Sequence, residues 1–102
     1  QLIFFLRMVH HKMNLQHCID APLFHTNHFQ ASFYPHETRP GHLMIEPNFG
    51  VHVIAALKSR GHDVDVAEPW TIGRLTAAMR GADGVLRAAA TPRLMQAYAI
   101  GR

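Results

Sequence analysis

The hydrophobic pattern is most regular between His42 and Pro69, where it changes period twice. His42 to Glu46 is a short apolar run closed by Pro47, and from Val51 the apolar positions recur at helical spacing. Val51, Ile54 and Leu57 lie at i, i+3 and i+6 and Val53 joins Leu57 at i, i+4, with His52, Ala56 and Ser59 opposite. That predicts an amphipathic helix of about three turns. Asn48 is its expected N-cap, Lys58 and Arg60 place positive charge on the last turn, and Gly61 supplies the left-handed stop. Asp63-Val64-Asp65-Val66 then alternates with period two, as a strand with one dry and one wet face does. The segment reads strand, helix, turn, strand and carries no chemistry of its own.

At the amino end Leu2, Phe5, Leu6 and Val9 fall at i, i+3, i+4 and i+7, and Ile3 and Phe4 widen the stripe around much of the circumference. A helix with no N-cap and apolar side chains on several sides is expected to have neighbours on several sides. Such a chain looks entered partway along a helix, and it is expected to be the C-terminal piece of a larger protein. Asn14 caps a second short helix whose apolar face is Leu15, Cys18 and Ile19 and whose end is set by Pro22. Phe29, Ala31 and Phe33 alternate with Gln30, Ser32 and Tyr34, which predicts a strand, and residues 36–41 predict a turn. The alanines of residues 71–80 suit a helix. The turn signal Gly81-Ala-Asp-Gly84 and the return of Val85 to Thr91 favour two antiparallel strands instead. The predicted order is αα-β-β-α-β-β-β, a mixed α/β (α+β) chain.

Composition narrows the function classes. A length of 102 residues suits one small domain, which would bury somewhat under about 70% of its unfolded surface. The apolar run Leu2 to Leu6 is far shorter than the ~20 residues a bilayer helix needs, so no membrane contact is expected from this segment. A single cysteine, Cys18, excludes an internal disulfide. The nine histidines contain no Cys-x-x-Cys or His-Glu-x-x-His spacing, and His17, His25 and His28 are expected to be scattered surface or packing residues, so no metal site and no cofactor are predicted. The net charge of +3 raises a nucleic-acid-binding module as an alternative, yet Arg39, Lys58, Arg60, Arg74, Arg80, Arg87, Arg93 and Arg102 are dispersed and are expected on solvated faces. An independent α/β interaction module is the other alternative. Trp70 is expected to anchor a core or an interface, and Cys18 to be a buried structural thiol.

Four stretches, in order, resemble one family. Met13-Asn-Leu-Gln-His-Cys-Ile-Asp-Ala-Pro-Leu-Phe-His25, Met44-Ile-Glu-Pro-Asn-Phe49, Leu57-Lys-Ser-Arg-Gly-His-Asp-Val64, and Ala89-Ala-Thr-Pro-Arg93 with Tyr98-Ala-Ile-Gly-Arg102 resemble the end of the gamma-glutamyltransferase small subunit. The resemblance implies that residues 1–102 are the C-terminal part of an αββα N-terminal-nucleophile hydrolase sandwich, made as a precursor that cleaves itself into two subunits. In that family the new N-terminal threonine attacks the gamma-glutamyl amide of glutathione or a similar donor, and the acyl-enzyme passes to water or an amino acid. The implied partners are the rest of the small subunit and the large subunit, with the donor bound elsewhere. Ala88, Thr91 and Gln96 depart from the glycine or aspartate that many members carry, which bears on substrate preference. Position 1 is Gln1, the internal threonines Thr26, Thr38, Thr71, Thr76 and Thr91 have no free α-amine, and no Gly-Gly oxyanion element occurs. No catalytic, substrate-binding or metal residue is therefore expected within the chain, and its cellular location is unknown.

Overall fold

The computed structural model describes residues 1–95 and 97–100. Gln96, Gly101 and Arg102, which the family resemblance touched, lie outside them. The described chain is mixed α/β and falls into two compact units, one formed by Gln1–Ala21 with the described residues from Arg74 onward, the other by Pro22–Gly73.

In the first unit, α2 (Leu15–Asp20) packs on the hairpin of β4 (Thr76–Arg80) and β5 (Leu86–Ala90), and α1 (Leu2–Val9) packs on α2. Asn14 caps α2 as expected, its Oδ1 accepting from the His17 amide at 2.8 Å. Leu15, Cys18 and Ile19 are all buried, and chain exit at Pro22 follows the last helical residue Asp20. Leu15, Ile19 and Ala89 form the centre of this core, with Phe4, Met8, Leu75 and Ala77 against it. Burying a Leu or Ile side chain stabilises a fold by about 1.5–3 kcal/mol, so these few contacts hold the helical layer to the hairpin. The hairpin is antiparallel, pairing Ala77 with Ala89 and Arg80 with Leu86 around Gly81–Gly84, as the turn signal predicted.

The stripe expected for α1 is present, and the structure adds its direction. Leu2, Phe5, Leu6 and Val9 form its outer face, whereas Phe4 and Met8 meet the core and Arg7 is buried. The physical reason is Arg7: its guanidinium reaches the carbonyl oxygens of Cys18 and Ala21 at 3.2 Å each, so the helix turns its charged side chain inward to satisfy another helix end.

In the second unit β1 (Phe24–Thr26), β2 (His42–Ile45) and β3 (Asp63–Val66) form one sheet in that order. β1 and β2 are antiparallel, and β2 and β3 are parallel with Leu43 opposite Val64 and Ile45 opposite Val66. The crossover helix α3 (Val51–Ser59) confirms the strand, helix, strand reading. Three details differ from it. Asn48 is not the cap of α3, because Pro47 opens a separate turn of 3-10 helix over Pro47–Phe49 and Gly50, at φ 87°, becomes the N-cap. Val51 and Val53 are exposed and only Ile54 and Leu57 are half-buried, so the predicted stripe is wider than the face in use. Finally, the alternation at Phe29–Tyr34 makes no strand. Its amides serve the loop itself, Ala31 N–H donating to the Glu37 carbonyl at 2.9 Å and His36 N–H to that of Phe33 at 2.7 Å, and the strand forms earlier at Phe24–Thr26. Gly61 has φ 90° and ends α3 as expected.

Candidate functional site

Two groups of polar side chains are built into the described residues, one in each unit. The first lies at the carboxyl end of α2. Arg93 is 1% exposed and spreads its guanidinium over three carbonyl oxygens: Nη1 donates to Ile19 at 2.7 Å, and Nη2 to Asp20 and Ala21 at 3.2 Å each. The Thr91 hydroxyl accepts from the Arg93 amide at 3.1 Å, which fixes the chain as it leaves β5. With Arg7 on Cys18 and Ala21, two cations meet the negative end of a helix whose last carbonyls have no intrahelical partner. Arg93 was expected on a solvated face. It is buried because a planar fork of donors suits several carbonyls at once, which no spacing rule reveals.

Cys18 lies beneath these contacts with no exposure, its thiol 3.6 Å from the Met13 carbonyl oxygen. Loss of solvation pushes the thiol pKa up, opposed by the nearby Arg7 charge. A thiol in such surroundings reacts poorly. Cys18 is expected to resist a disulfide-exchange reagent such as DTNB in the native protein and to react fully in denaturant. Rapid native labelling would contradict its structural role.

The second group joins β2, β3 and the loop before β2. His42 is 1% exposed and its Nε2 lies 3.0 Å from the Asp65 carboxylate. Arg39 bridges the same carboxylate at 3.1 Å and that of Asp63 at 2.8 Å. The contact with Asp65 fixes the proton of a neutral His42 on Nε2, leaving the buried Nδ1 without a hydrogen-bond partner. His42 first, and Arg39 second, hold the Asp65 carboxyl below the ordinary carboxylate range. A lowered folded pKa means that the unfolded chain binds the proton more tightly, so this group's contribution is full above the unfolded pKa and is lost as pH falls through the folded one. Asp65→Asn is accordingly expected to flatten the acid side of the stability profile below about pH 4. A carboxyl titration of Asp65 by NMR at or above the ordinary value would contradict the contact. Glu46, fully buried at the end of β2, accepts the Leu23 amide at 2.9 Å and ties the start of β1 to the sheet. Neither His42 nor Glu46 stood out in the sequence, where both sit inside an apolar run.

The remaining sequence candidates are dispersed. His25 pairs with Met44 in the sheet, and His28 Nδ1 accepts from the Gly41 amide at 2.9 Å. No group of three His, Cys, Asp or Glu side chains able to hold a metal occurs among the described residues. Arg87 pairs with Asp83 across the hairpin turn at 2.6 Å. Trp70 is 42% exposed at φ 63°, on a turn rather than in a core. Thr26 donates its hydroxyl to the His42 carbonyl, Thr38 to that of His28 and Thr71 to that of Glu68. No helix among the described residues is long and apolar enough to cross a membrane.

Both groups act as braces: apart from His42 Nδ1, the contacts described for them are made to backbone or to one another. Comparison with known proteins gives the chain its context. The sequence model of gamma-glutamyltranspeptidase matches residues 1–101. The chain belongs to the gamma-glutamyltranspeptidase family. Two structures of LmbA2991 match all of this gamma-glutamyltranspeptidase-family chain at 45% identity with a TM-score of 0.91, and the chain covers 18% and 19% of theirs. A threonine-to-alanine mutant of the Helicobacter pylori gamma-glutamyltranspeptidase matches 90% of it at 20% identity and TM-score 0.64, with 45% of that chain covered. Cephalosporin acylase from Bacillus halodurans matches 90% at 23% identity and TM-score 0.68, with 16% covered. The last two likenesses are of fold. A search of curated proteins finds no match. The chain thus spans under a fifth of the LmbA2991 chains and just under half of the Helicobacter pylori one.

Proposed function

We propose that this chain is the C-terminal structural portion of a gamma-glutamyltransferase small subunit, and that its parent transfers or hydrolyses gamma-glutamyl groups of glutathione-like donors. The observation that carries this reading is the family match over residues 1–101 of the 102, joined to the small share of its relatives that the chain covers. The chemistry needs an N-terminal threonine whose own α-amine serves as base, an oxyanion site for the tetrahedral intermediate, and a pocket for the donor's amino acid end. On this reading all three are supplied by the rest of the parent, and no residue here is catalytic, binds substrate or binds metal. What this chain contributes is a braced layer: α2 locked at its carboxyl end by Arg7 and Arg93, and a sheet locked by Glu46 and by the Arg39, His42 and Asp65 group. Such scaffolding holds a catalytic constellation in place through packing.

The full polypeptide containing this segment tests the activity. It is expected to release chromophore from a gamma-glutamyl anilide, and to release it faster when an amino acid acceptor is present. No release above a heat-denatured control would overturn the proposal.

A further inference from the structure

Of the four aspartates in the sequence, Asp83 alone is followed by a glycine. An aspartyl–glycine bond is chemically labile, because a glycine amide has no side chain of its own to shield it from the preceding carboxyl carbon. This one lies in the turn between β4 and β5, with Asp83 half exposed and open space beside Gly84, so water reaches it. Isomerisation there needs no other reactant. The Gly84 nitrogen, losing its proton, bonds to Asp83 Cγ, and the Cγ–O bond of the neutral carboxyl breaks to release water. A second water then opens the cyclic imide: at Cγ it restores aspartate, and at the main-chain carbonyl it leaves isoaspartate, with the chain running through Cβ and Cγ. One water leaves and one returns, so the mass is unchanged.

The turn is built against that reaction. Arg87 grips Asp83 with two donors, Nη2 on Oδ2 at 2.6 Å and Nη1 on Oδ1 at 3.0 Å, and the Val85 amide donates to Oδ1 at 3.0 Å. Arg87 first, and the Val85 amide second, hold the Asp83 carboxyl below the ordinary carboxylate range. An ionised carboxylate is a poor electrophile, and one with both oxygens held resists swinging Cγ toward the next amide. The attacking group is occupied as well, since the Gly84 amide donates to the Gly81 carbonyl at 2.9 Å. We propose that Asp83–Gly84 is a self-modifying site and that Arg87 is the guard that keeps it unmodified. Exposed ion pairs add little to stability, so protection of this bond is the larger effect of the pair. Gly81 belongs to the guard, because a side chain at that position would overlap the head groups of Arg87 and Asp83. Failure has a structural cost. Isoaspartate adds a main-chain carbon to a turn closed by the Gly81 amide on the Val85 carbonyl at 2.9 Å, and β5 beyond it carries Ala89 into the core with Leu15 and Ile19.

Isoaspartate at position 83 reads the guard directly. The full polypeptide containing this segment, its Arg87→Gln and Gly81→Ala variants, and a peptide of residues 79–90 are incubated warm near neutral pH for weeks. Isoaspartate is located by peptide mapping with electron-transfer mass spectrometry and quantified by methyl transfer from S-adenosylmethionine with an isoaspartyl methyltransferase. The wild type is expected to isomerise many-fold more slowly than the peptide, and Arg87→Gln several-fold faster than the wild type. Gly81→Ala keeps both residues of the clamp but displaces them, so it too is expected to accelerate, and it carries the test should Arg87→Gln fail to fold. Ala88→Gly loosens the same hairpin without touching the clamp and is expected to match the wild type. A wild type as fast as the peptide would overturn the inference, as would Arg87→Gln no faster than the wild type. So would Ala88→Gly as fast as Arg87→Gln, because opening of the hairpin would then account for the gain.

Discussion

Arg93→Met is expected to destabilise the protein by about 3–5 kcal/mol, a large part of the roughly 5–15 kcal/mol stability of a typical domain. Methionine keeps much of the aliphatic volume, so the loss reads the guanidinium and not the stem. Without it the Ile19 and Asp20 carbonyls lose the donor that reaches them at 2.7 and 3.2 Å, while Arg7 still serves Ala21. Each buried polar group left unsatisfied costs about 1–3 kcal/mol, and removal of a positive charge from a helix carboxyl end adds up to about 2 kcal/mol when partly buried. Arg93→Lys is expected to fall between the wild type and methionine, because an ammonium keeps the charge but cannot span three carbonyls in one plane. Thermal unfolding of the three proteins side by side provides the check. A methionine variant as stable as the wild type would mean that water or other donors cap α2 equally well.

The elements that the chain's pattern made legible are those in which local signals agree. In α2, the cap Asn14, the face Leu15, Cys18 and Ile19 and the stop at Pro22 all specify the same six residues. The order of β2, α3 and β3 was legible because a bounded helix with Gly61 behind it stands between two short runs that read as strands, and the structure pairs those strands in parallel. The hairpin of β4 and β5 was read against its alanines, and its turn decided the matter. Periodicity misled where backbone demands won. At Phe29–Tyr34 an alternating pattern belongs to a loop whose amides and carbonyls bond one another. In α1 the period located the apolar stripe, and Arg7 sets its direction by reaching the end of α2.

The polar braces were hardly legible. His42 and Glu46 stand in a run that reads as apolar, and the partner of His42 is 23 residues away. Arg93 looked like one of several dispersed cations, yet it makes contacts 72 to 74 residues distant. Side chains that act across such separations acquire their roles only when the fold brings the backbone carbonyls together. The family resemblance, by contrast, was carried by ordered short stretches and needed no geometry. All four of those stretches include a bracing residue or its target: the first holds the α2 carbonyls, the second Glu46, the third Asp63 and the last Arg93.

The second large effect concerns activity and is all-or-none. On the proposed reading this chain is scaffold and the nucleophile, its base and the oxyanion site lie in the rest of the parent, so the chain alone would have no covalent route. The purified 102-residue chain, incubated with a gamma-glutamyl anilide, therefore measures the central claim most directly. The expected result is no chromophore release above an unfolded control from the chain alone, with release from the full polypeptide under the same conditions. Turnover by the chain alone that saturates with substrate and disappears on unfolding would contradict the account.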